Sequence, residues 1–326
     1  MKLTFDHIII FIIVTSLLGL YIKQYRQQKF EDSIRYENFT NYEIKDTLIS
    51  VYDSFYSKIY DKLFGSDVKN EFELYNIFKY SVKDDKDFEK SDVKILDLGC
   101  GTGNHLKIMQ REHYDCVGVD KSLKMLKVAR NVNPTCPLIK GDFLNKSTFQ
   151  LNEFTHIFCF FFTIYYSPYA EKIFNNVNYW LKPGGYFCVH LVDKNKFDPV
   201  LEKASKLIPL YNPQKKSECG KKGHKHGKDC HKHGDDRVME TKLKFNKFNY
   251  ISNWRFGKNK VEFIENFLFD DDSKHRQNKH RLYMKNIDYY KKIAKKTGFK
   301  LVKIIDLLPV NHDYNYIYVF KKIYGE

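Results

Sequence analysis

The chain has 326 residues, 43% of them hydrophobic, and a formal net charge of +15. That length allows one large domain or two small ones, and that apolar fraction excludes global disorder. The charge raises nucleic acid and membrane surfaces as partners. It nearly cancels from Lys23 to Lys94, however, and accumulates after His190, mostly as Lys in a chain rich in Asn, Ile, Tyr and Phe. Composition accounts for it, and nucleic acid is not the favoured partner. The seven cysteines are odd in number and sit mostly in apolar runs, which reads as reduced thiols in a cytosol-like compartment.

In chain order, the first element is the uncharged run Ile8 to Ile22, IIIFIIVTSLLGLYI. As a helix it spans roughly 22 Å; extension back to Leu3 reaches the ~30 Å of a hydrocarbon core, with Asp6 and His7 at the interface. Lys23, Arg26 and Lys29 follow the run, against Lys2 before it, so the positive-inside bias keeps the C-terminal bulk cytoplasmic. No small-x-small cleavage site follows, and the run has no polar face to show solvent. The expectation is a single-pass membrane protein with a transmembrane anchor over 1–23, a polar stalk over 24–50 and one domain over 51–326 in the cytoplasm.

From Val93 apolar strands alternate with amphipathic helices, the pattern of a doubly wound parallel sheet. Val93 to Asp97 is a strand, Gly99 to Gly103 a glycine-rich turn, and a helix begins near Asn104. Glycine suits a strand that turns sharply into a helix while a ligand presses on the backbone, although dinucleotide-binding enzymes use a similar turn. Cys116 to Asp120 is a second strand ending in an acid that can accept both hydroxyls of an adenosine ribose. Ser122 caps the helix that follows, which carries Leu123, Leu126 and Ala129 on one face. Pro137 to Lys140 runs into Gly141-Asp142-Phe143, a carboxylate beside an aromatic wall that suits an adenine amino group. Phe154 to Phe162 is a buried strand, Tyr169 to Leu181 a helix, and Pro183-Gly184-Gly185 turns into the strand Tyr186 to Val192. Ile287 to Thr297 is a helix stopped by Gly298, with strands at Phe299 to Ile305 and Tyr316 to Lys321.

Three phrases in this order, ILDLGCGTG, GVDKSLKML and LKPGG at Leu181 to Gly185, resemble class I S-adenosylmethionine-dependent methyltransferases. The likeness is to the small-molecule, methyltransferase type 11/25 branch and runs from Val51 to the C-terminus. It implies an α/β, Rossmann-like seven-stranded sheet with helices on both faces and an antiparallel last strand inserted between the fifth and sixth, an ending that dinucleotide dehydrogenases lack. It also implies S-adenosyl-L-methionine as cofactor. Asp97, Gly99, Gly101 and Gly103 would lie at the methionyl part, Asp120 on the ribose, Met125 against the adenosine, and Asp142 and Phe143 around the adenine. Val51 to Phe64, VYDSFYSKIYDKLF, resembles the aromatic helix that lids the cofactor in this branch, although each Tyr there suits a core equally. Thr155 stands where the family often has Asp, and there is no Asn-Pro-Pro-Tyr of the kind that accompanies methylation of a base amine or glutamine amide.

The acceptor would lie over the carboxyl ends of the fourth and fifth strands, near Tyr165, Tyr166, His190 and Asp193. Tyr166, whose ring can attract a sulfonium, and His190, a candidate base near neutrality, are the catalytic candidates. Residues 194–285 exceed any crossover. With strands read at Leu243 to Tyr250, Trp254 to Lys258 and Val261 to Phe269, they form a strand-rich substrate cover. A His/Cys-rich stretch at 219–234 offers Cys219, His224, Cys230 and His233 as metal candidates. Its spacing fits no standard zinc finger, and the favoured reading is a low-complexity loop that holds no metal. The expected acceptor is a small molecule, a lipid-like molecule or a protein at the cytoplasmic face of a membrane. The alternatives are a catalytically silent binding module of the same fold and, from the basicity, an RNA methyltransferase.

Overall fold

The computed structural model describes residues 5–33, 42–84, 87–197, 199, 239–245, 247–258, 260–270 and 274–323. The His/Cys-rich stretch and its metal candidates lie outside the described residues. Helix α1 (Phe5–Ser33) is continuous, and its side chains from Phe11 to Ile22 are exposed. Among the described residues no helix is long and apolar enough to cross a membrane, so the expected transmembrane anchor gains no support from the fold.

Strand β1 (Tyr42–Lys45) and the one-turn helix α2 (Leu48–Val51) fall inside the segment expected to be a polar stalk. Helix α3 (Ser54–Phe64) begins where the Asp53 carboxylate accepts the N–H groups of Phe55 and Tyr56, and α4 (Asp67–Phe78) begins at the Ser66 hydroxyl. Such caps satisfy backbone donors that a helix start leaves free.

The catalytic half follows as β2 (Lys94–Leu98), α5 (Asn104–Arg111), β3 (Asp115–Asp120), α6 (Leu123–Val132), β4 (Leu138–Lys140), β5 (Phe154–Cys159), α7 (Ala170–Trp180) and β6 (Leu181–Val192). After the cover come α8 (Ile287–Lys296), β11 (Phe299–Asp306) and β12 (Asn315–Lys322). These seven strands stand in the order β11-β12-β6-β5-β2-β3-β4. β2 to β6 are parallel, and β12 runs antiparallel to both of its neighbours, β6 and β11. The sheet is therefore the mixed seven-stranded α/β architecture expected, with the last strand inserted between the fifth and sixth. Every residue of β5 is buried, as a strand covered on both faces requires. One face packs on α4 and α5 and the other on α7 and α8.

The cover is a second, five-stranded sheet of order β1-β10-β9-β8-β7, built from β7 (Glu240–Lys244), β8 (Phe248–Phe256), β9 (Val261–Phe269) and β10 (His275–Leu282). Leu243 to Tyr250 is not one strand: it is the end of β7, a turn and the start of β8. Trp254 belongs to β8 as well. The supposed stalk contributes β1, which pairs in parallel with β10, Tyr42 opposite His275. Helix α3 lies between the two sheets. Phe55, Tyr56, Ile59 and Leu63 bury against Leu243, Phe248, Tyr250 and Phe267 of the cover, and Asp61 on the same helix reaches the glycine turn of the larger sheet.

Candidate active site

Three turns of chain at the carboxyl ends of β2, β3 and β5 form the floor of the site. Gly99 has φ +68°, and a Cβ there would come within 2.6 Å of Thr163 Cγ2. Gly101, at φ +55°, donates its N–H to Asp120 Oδ2 over 3.1 Å. Gly103 does something else. It caps α5 at φ +80°, and a Cβ on it would strike the Asn133 amide at 2.5 Å, so its bareness serves the packing of α5 on α6.

Three connected clefts open above this floor. The first, of about 640 Å³, is lined by Tyr52, Gly101, Asp120, Lys121, Met125 and Phe143 among others. Burial pushes the Asp120 carboxyl up, against the N–H groups of Ser122 and Gly101 that it accepts. Asp142 is not among the lining residues. Its Oδ2 pairs with Lys121 Nζ at 2.8 Å, so it reaches the cleft only through a residue that does line it. The Ser122 hydroxyl accepts the Met125 N–H and donates to the Tyr52 carbonyl, fastening the start of the lid to α6.

The second cleft, of about 550 Å³, is lined by Lys69, Asp97, Gly99, Thr102, Asn104 and His105 among others. Asp97 is 2% exposed, and burial raises its pKa well above the ordinary range. Glu73 sits behind this cleft. Burial works against its charge, but Lys69 at 3.0 Å and His105 at 2.9 Å hold the carboxyl well below the usual range. Asp61 of the lid accepts from Thr102 Oγ1 at 2.5 Å and from Asn104 Nδ2 at 2.8 Å.

The third cleft, of about 280 Å³, is walled by aromatic rings: Tyr52, Tyr56, Phe162, Tyr166, Trp254 and Phe263 are among its lining residues. Tyr60 and Phe161 line all three clefts. Phe161 holds that position at φ +50°, a conformation that costs a bulky residue of order 1–3 kcal/mol and that clusters at functional sites.

Behind the aromatic wall runs a chain of polar contacts contributed by the cover. Tyr52 Oη and Tyr166 Oη are 2.8 Å apart, and Tyr166 Oη is 2.8 Å from His280 Nδ1. His280 Nε2 is 2.7 Å from Glu265 Oε2. Glu265 is fully buried and also accepts from Tyr250 Oη and Asn278 Nδ2, while Arg276 Nε holds Asn278 and Arg276 Nη1 pairs with Asp53 at 2.8 Å. Burial pushes both Tyr52 and Tyr166 up, so they stay phenols.

Of the residues singled out in the sequence, Gly99, Gly101, Asp120, Met125, Phe143 and Tyr166 line the first cleft and Asp97 the second. His190 lines none of the three. It is 1% exposed, pairs with Asn315 Oδ1 at 3.1 Å, and lies behind Phe161 and Phe162 with its pKa pushed down by burial to about 4. Tyr165 is buried and accepts the Val192 N–H. Tyr60 lies in the aromatic segment read as a lid; sequence reading missed Lys69, Phe161, Glu265 and His280. For the last two the only signal is a polar residue at inward positions of strands otherwise built for burial. Among the described residues no group of three or more His, Cys, Asp or Glu could hold a metal.

Comparison with known proteins agrees with this geometry. Residues 95–185 match the family model described as a methyltransferase domain. A stretch of 132 residues is 33% identical to the uncharacterized protein MJ1252 of Methanocaldococcus jannaschii; it covers 40% of this chain and 46% of that protein, so the chain spans about half of that relative. Among solved structures, an S-adenosylmethionine-dependent methyltransferase from Clostridium acetobutylicum superposes with a TM-score of 0.56 at 19% identity, covering 82% of this chain and 98% of that one. The CcbJ methyltransferase of Streptomyces caelestis gives 0.56 at 14% identity, covering 84% and 98%. The sugar N-methyltransferase KedS8 of Streptoalloteichus sp. gives 0.54 at 16%, covering 86% and 95%. The fold is thus that of the S-adenosylmethionine-dependent methyltransferases, with a methyltransferase domain over 95–185. The cofactor of this domain and fold is S-adenosylmethionine.

Proposed function

We propose that this chain transfers a methyl group from S-adenosylmethionine to a small amine held in the aromatic cleft. The meeting of the three clefts at Tyr60 and Phe161 carries the reading. An adenosyl group in the first cleft and a methionyl group in the second share one junction, and the third cleft opens on it.

The residues fit that cofactor. Asp120 stands where ribose hydroxyls need an acceptor, and Met125 and Phe143 offer apolar faces for a base. Burial first, and then Cys136, Asp120 and Glu73 nearby, hold the Asp97 carboxyl away from its ionised state, and an α-ammonium group in the second cleft would offset them. Lys69 lines the same cleft for a carboxylate. The cofactor supplies an already activated methyl group. What the chain supplies is alignment, worth several kcal/mol, and a dry aromatic wall. Ring faces of Tyr52, Tyr60 and Trp254 attract cations, which favours an ammonium-bearing acceptor over an anionic one. KedS8 acts on a sugar amine by its name; the proposal for this chain stands on the cleft.

Calorimetry with S-adenosylhomocysteine on the full chain tests the cofactor site. Micromolar binding is expected, weakened at least tenfold in Asp120→Asn. A wild-type chain that binds neither this nor S-adenosylmethionine would return the reading to a silent module of the same fold. Tritium transfer from labelled S-adenosylmethionine to a panel of small amines and alcohols then tests the acceptor class.

Attachment to the cytoplasmic face of a membrane through α1 is a second part of the proposal. Its support is the run of exposed apolar side chains between Phe11 and Ile22. Co-sedimentation of the full chain with phosphatidylcholine vesicles is expected, and a chain left wholly in the supernatant would refute it.

A further inference from the structure

Glu265 and His280 are buried deep in the cover, and neither contacts the cofactor clefts. A buried carboxylate beside a buried imidazole needs a reason, since an apolar pair of the same volume would be as stable or more so. Their geometry gives one. Glu265 takes three donors, from His280 Nε2, Asn278 Nδ2 and Tyr250 Oη, the pattern of an acceptor-only carboxylate. The proton between His280 and Glu265 therefore sits on Nε2, and in the neutral imidazole Nδ1 is then a bare lone pair. Tyr166 must then donate to Nδ1, and its oxygen, already spent as a donor, accepts the Tyr52 hydroxyl. Every hydrogen in the row points away from the cleft and toward Glu265. Both phenol oxygens are thus left with acceptor lone pairs, on two tyrosines that line the first and third clefts.

We propose that Tyr166, His280 and Glu265 form a one-way proton relay that draws the proton from an amine acceptor as its nitrogen becomes the nucleophile. This rests on the methyl-transfer reading above. Tyr166, which lines the first and third clefts, is the catalytic residue; His280 and Glu265 are positioning residues that act through it. In the step, an acceptor N–H bond breaks and its proton passes to the Tyr166 oxygen, directly or through Tyr52. The Tyr166 proton moves to His280 Nδ1, and the resulting imidazolium is held against the Glu265 carboxylate. The nitrogen keeps the bonding pair for the incoming methyl. Groups facing His280 are Glu265 on β9, Tyr166, Tyr52 just before α3, Tyr56 on α3, and Phe263 on β9. Arg276, four residues away on β10, is turned to Asp53 and Asn278.

The relay can be read without knowing the acceptor. Sinefungin carries an amine-bearing carbon where S-adenosylmethionine carries its methylated sulfur, and S-adenosylhomocysteine carries the sulfur with no group in the methyl's place. A row of outward-facing acceptors makes the wild-type chain prefer sinefungin at least tenfold by calorimetry. Tyr166→Phe removes the acceptor. His280→Gln can still donate to Glu265 from its amide but offers no acceptor at the Nδ1 position, which frees the Tyr166 hydroxyl hydrogen to turn toward the cleft. Both variants are expected to lose at least tenfold of the preference while binding S-adenosylhomocysteine within about threefold of wild type. An unchanged preference in both variants overturns the relay, as does equal loss of both ligands, which marks a purely structural role. A wild-type chain that binds neither ligand fails earlier, at the cofactor reading.

Discussion

Gly99→Ala tests the glycine turn in terms that separate backbone from side chain. At φ +68° a Cβ costs roughly 1–2 kcal/mol from the left-handed conformation alone. The same Cβ would sit 2.6 Å from Thr163 Cγ2 and 3.0 Å from its Oγ1, an overpacking that adds about 1–3 kcal/mol. Together these take ~2–5 kcal/mol from a native state worth ~5–15. Gly101→Ala is the control: φ is +55°, but its Cβ would meet nothing closer than Met125 Cε at 3.4 Å, so only the backbone part should appear. Thr163→Ala removes both clashing atoms. Urea denaturation of Gly99→Ala, Thr163→Ala and the Gly99→Ala/Thr163→Ala double variant gives the coupling directly. The double variant should recover the overpacking part and retain the backbone part. If Gly99→Ala is no more damaging than Gly101→Ala, or if Thr163→Ala rescues nothing, the assigned close approach is wrong.

Two further perturbations follow from buried polar groups. Burial pushes His156 down to about 3 and His190 to about 4. The unfolded chain takes up those protons near pH ~6.5, so the native state's advantage is intact above that pH and is lost as the pH falls toward 4. For His190 the gap corresponds to about 3 kcal/mol. Melting temperature against pH should therefore drop steeply below 6.5, and His190→Phe should flatten part of that slope; an identical slope in the variant would count against it. Arg276→Met leaves Asp53 without the guanidinium that holds it at 2.8 Å and frees the Val51 carbonyl. Asp53 is 31% exposed and keeps the Phe55 and Tyr56 N–H groups, so the expected loss is about 1–3 kcal/mol, that of a buried acceptor left unmade at Val51, and no measurable loss by denaturant titration would show that the guanidinium holds nothing together.

The large sheet was legible because its strands are written in one alphabet. KILDL, DCVGVD and FTHIFC are apolar runs bounded by turn residues, and the glycine turn, Asp120 and LKPGG mark which connection is which. The strand β10 was not legible, for a physical reason. HRQNKHRL alternates, but its inward positions are Arg276, Asn278, His280 and Leu282, each at most 3% exposed. A search for apolar period two passes over such a strand, because the buried face is satisfied by hydrogen bonds instead of by hydrophobic contact. β1 was missed for a related reason: YEIK is short and half-exposed, and only its partner defines it. At the site, Asp97, Asp120 and the first two glycines were readable as chemistry tied to one turn. Gly103 was assigned to the cofactor because spacing does not tell a ligand-facing glycine from one that admits a neighbouring helix. His190 was singled out because it sits near a strand end beside the expected site, whereas His280 drew no notice because it reaches the site through a sheet that the sequence did not reveal.

The pairing of β1 with β10 ties Tyr42 to His275, and Arg276 reaches back across 223 positions to Asp53. Contacts so distant along the chain close large loops and form slowly. During synthesis the large sheet must also wait for its last strand, but the aromatic cleft waits for β10 as well. Until then α3 lacks the surface that seats it, and Phe55 and Tyr56 stay exposed on the nascent chain. The lid residues thus emerge long before the strand that seats them, which makes that interval the time when a ribosome-bound chaperone has most to cover.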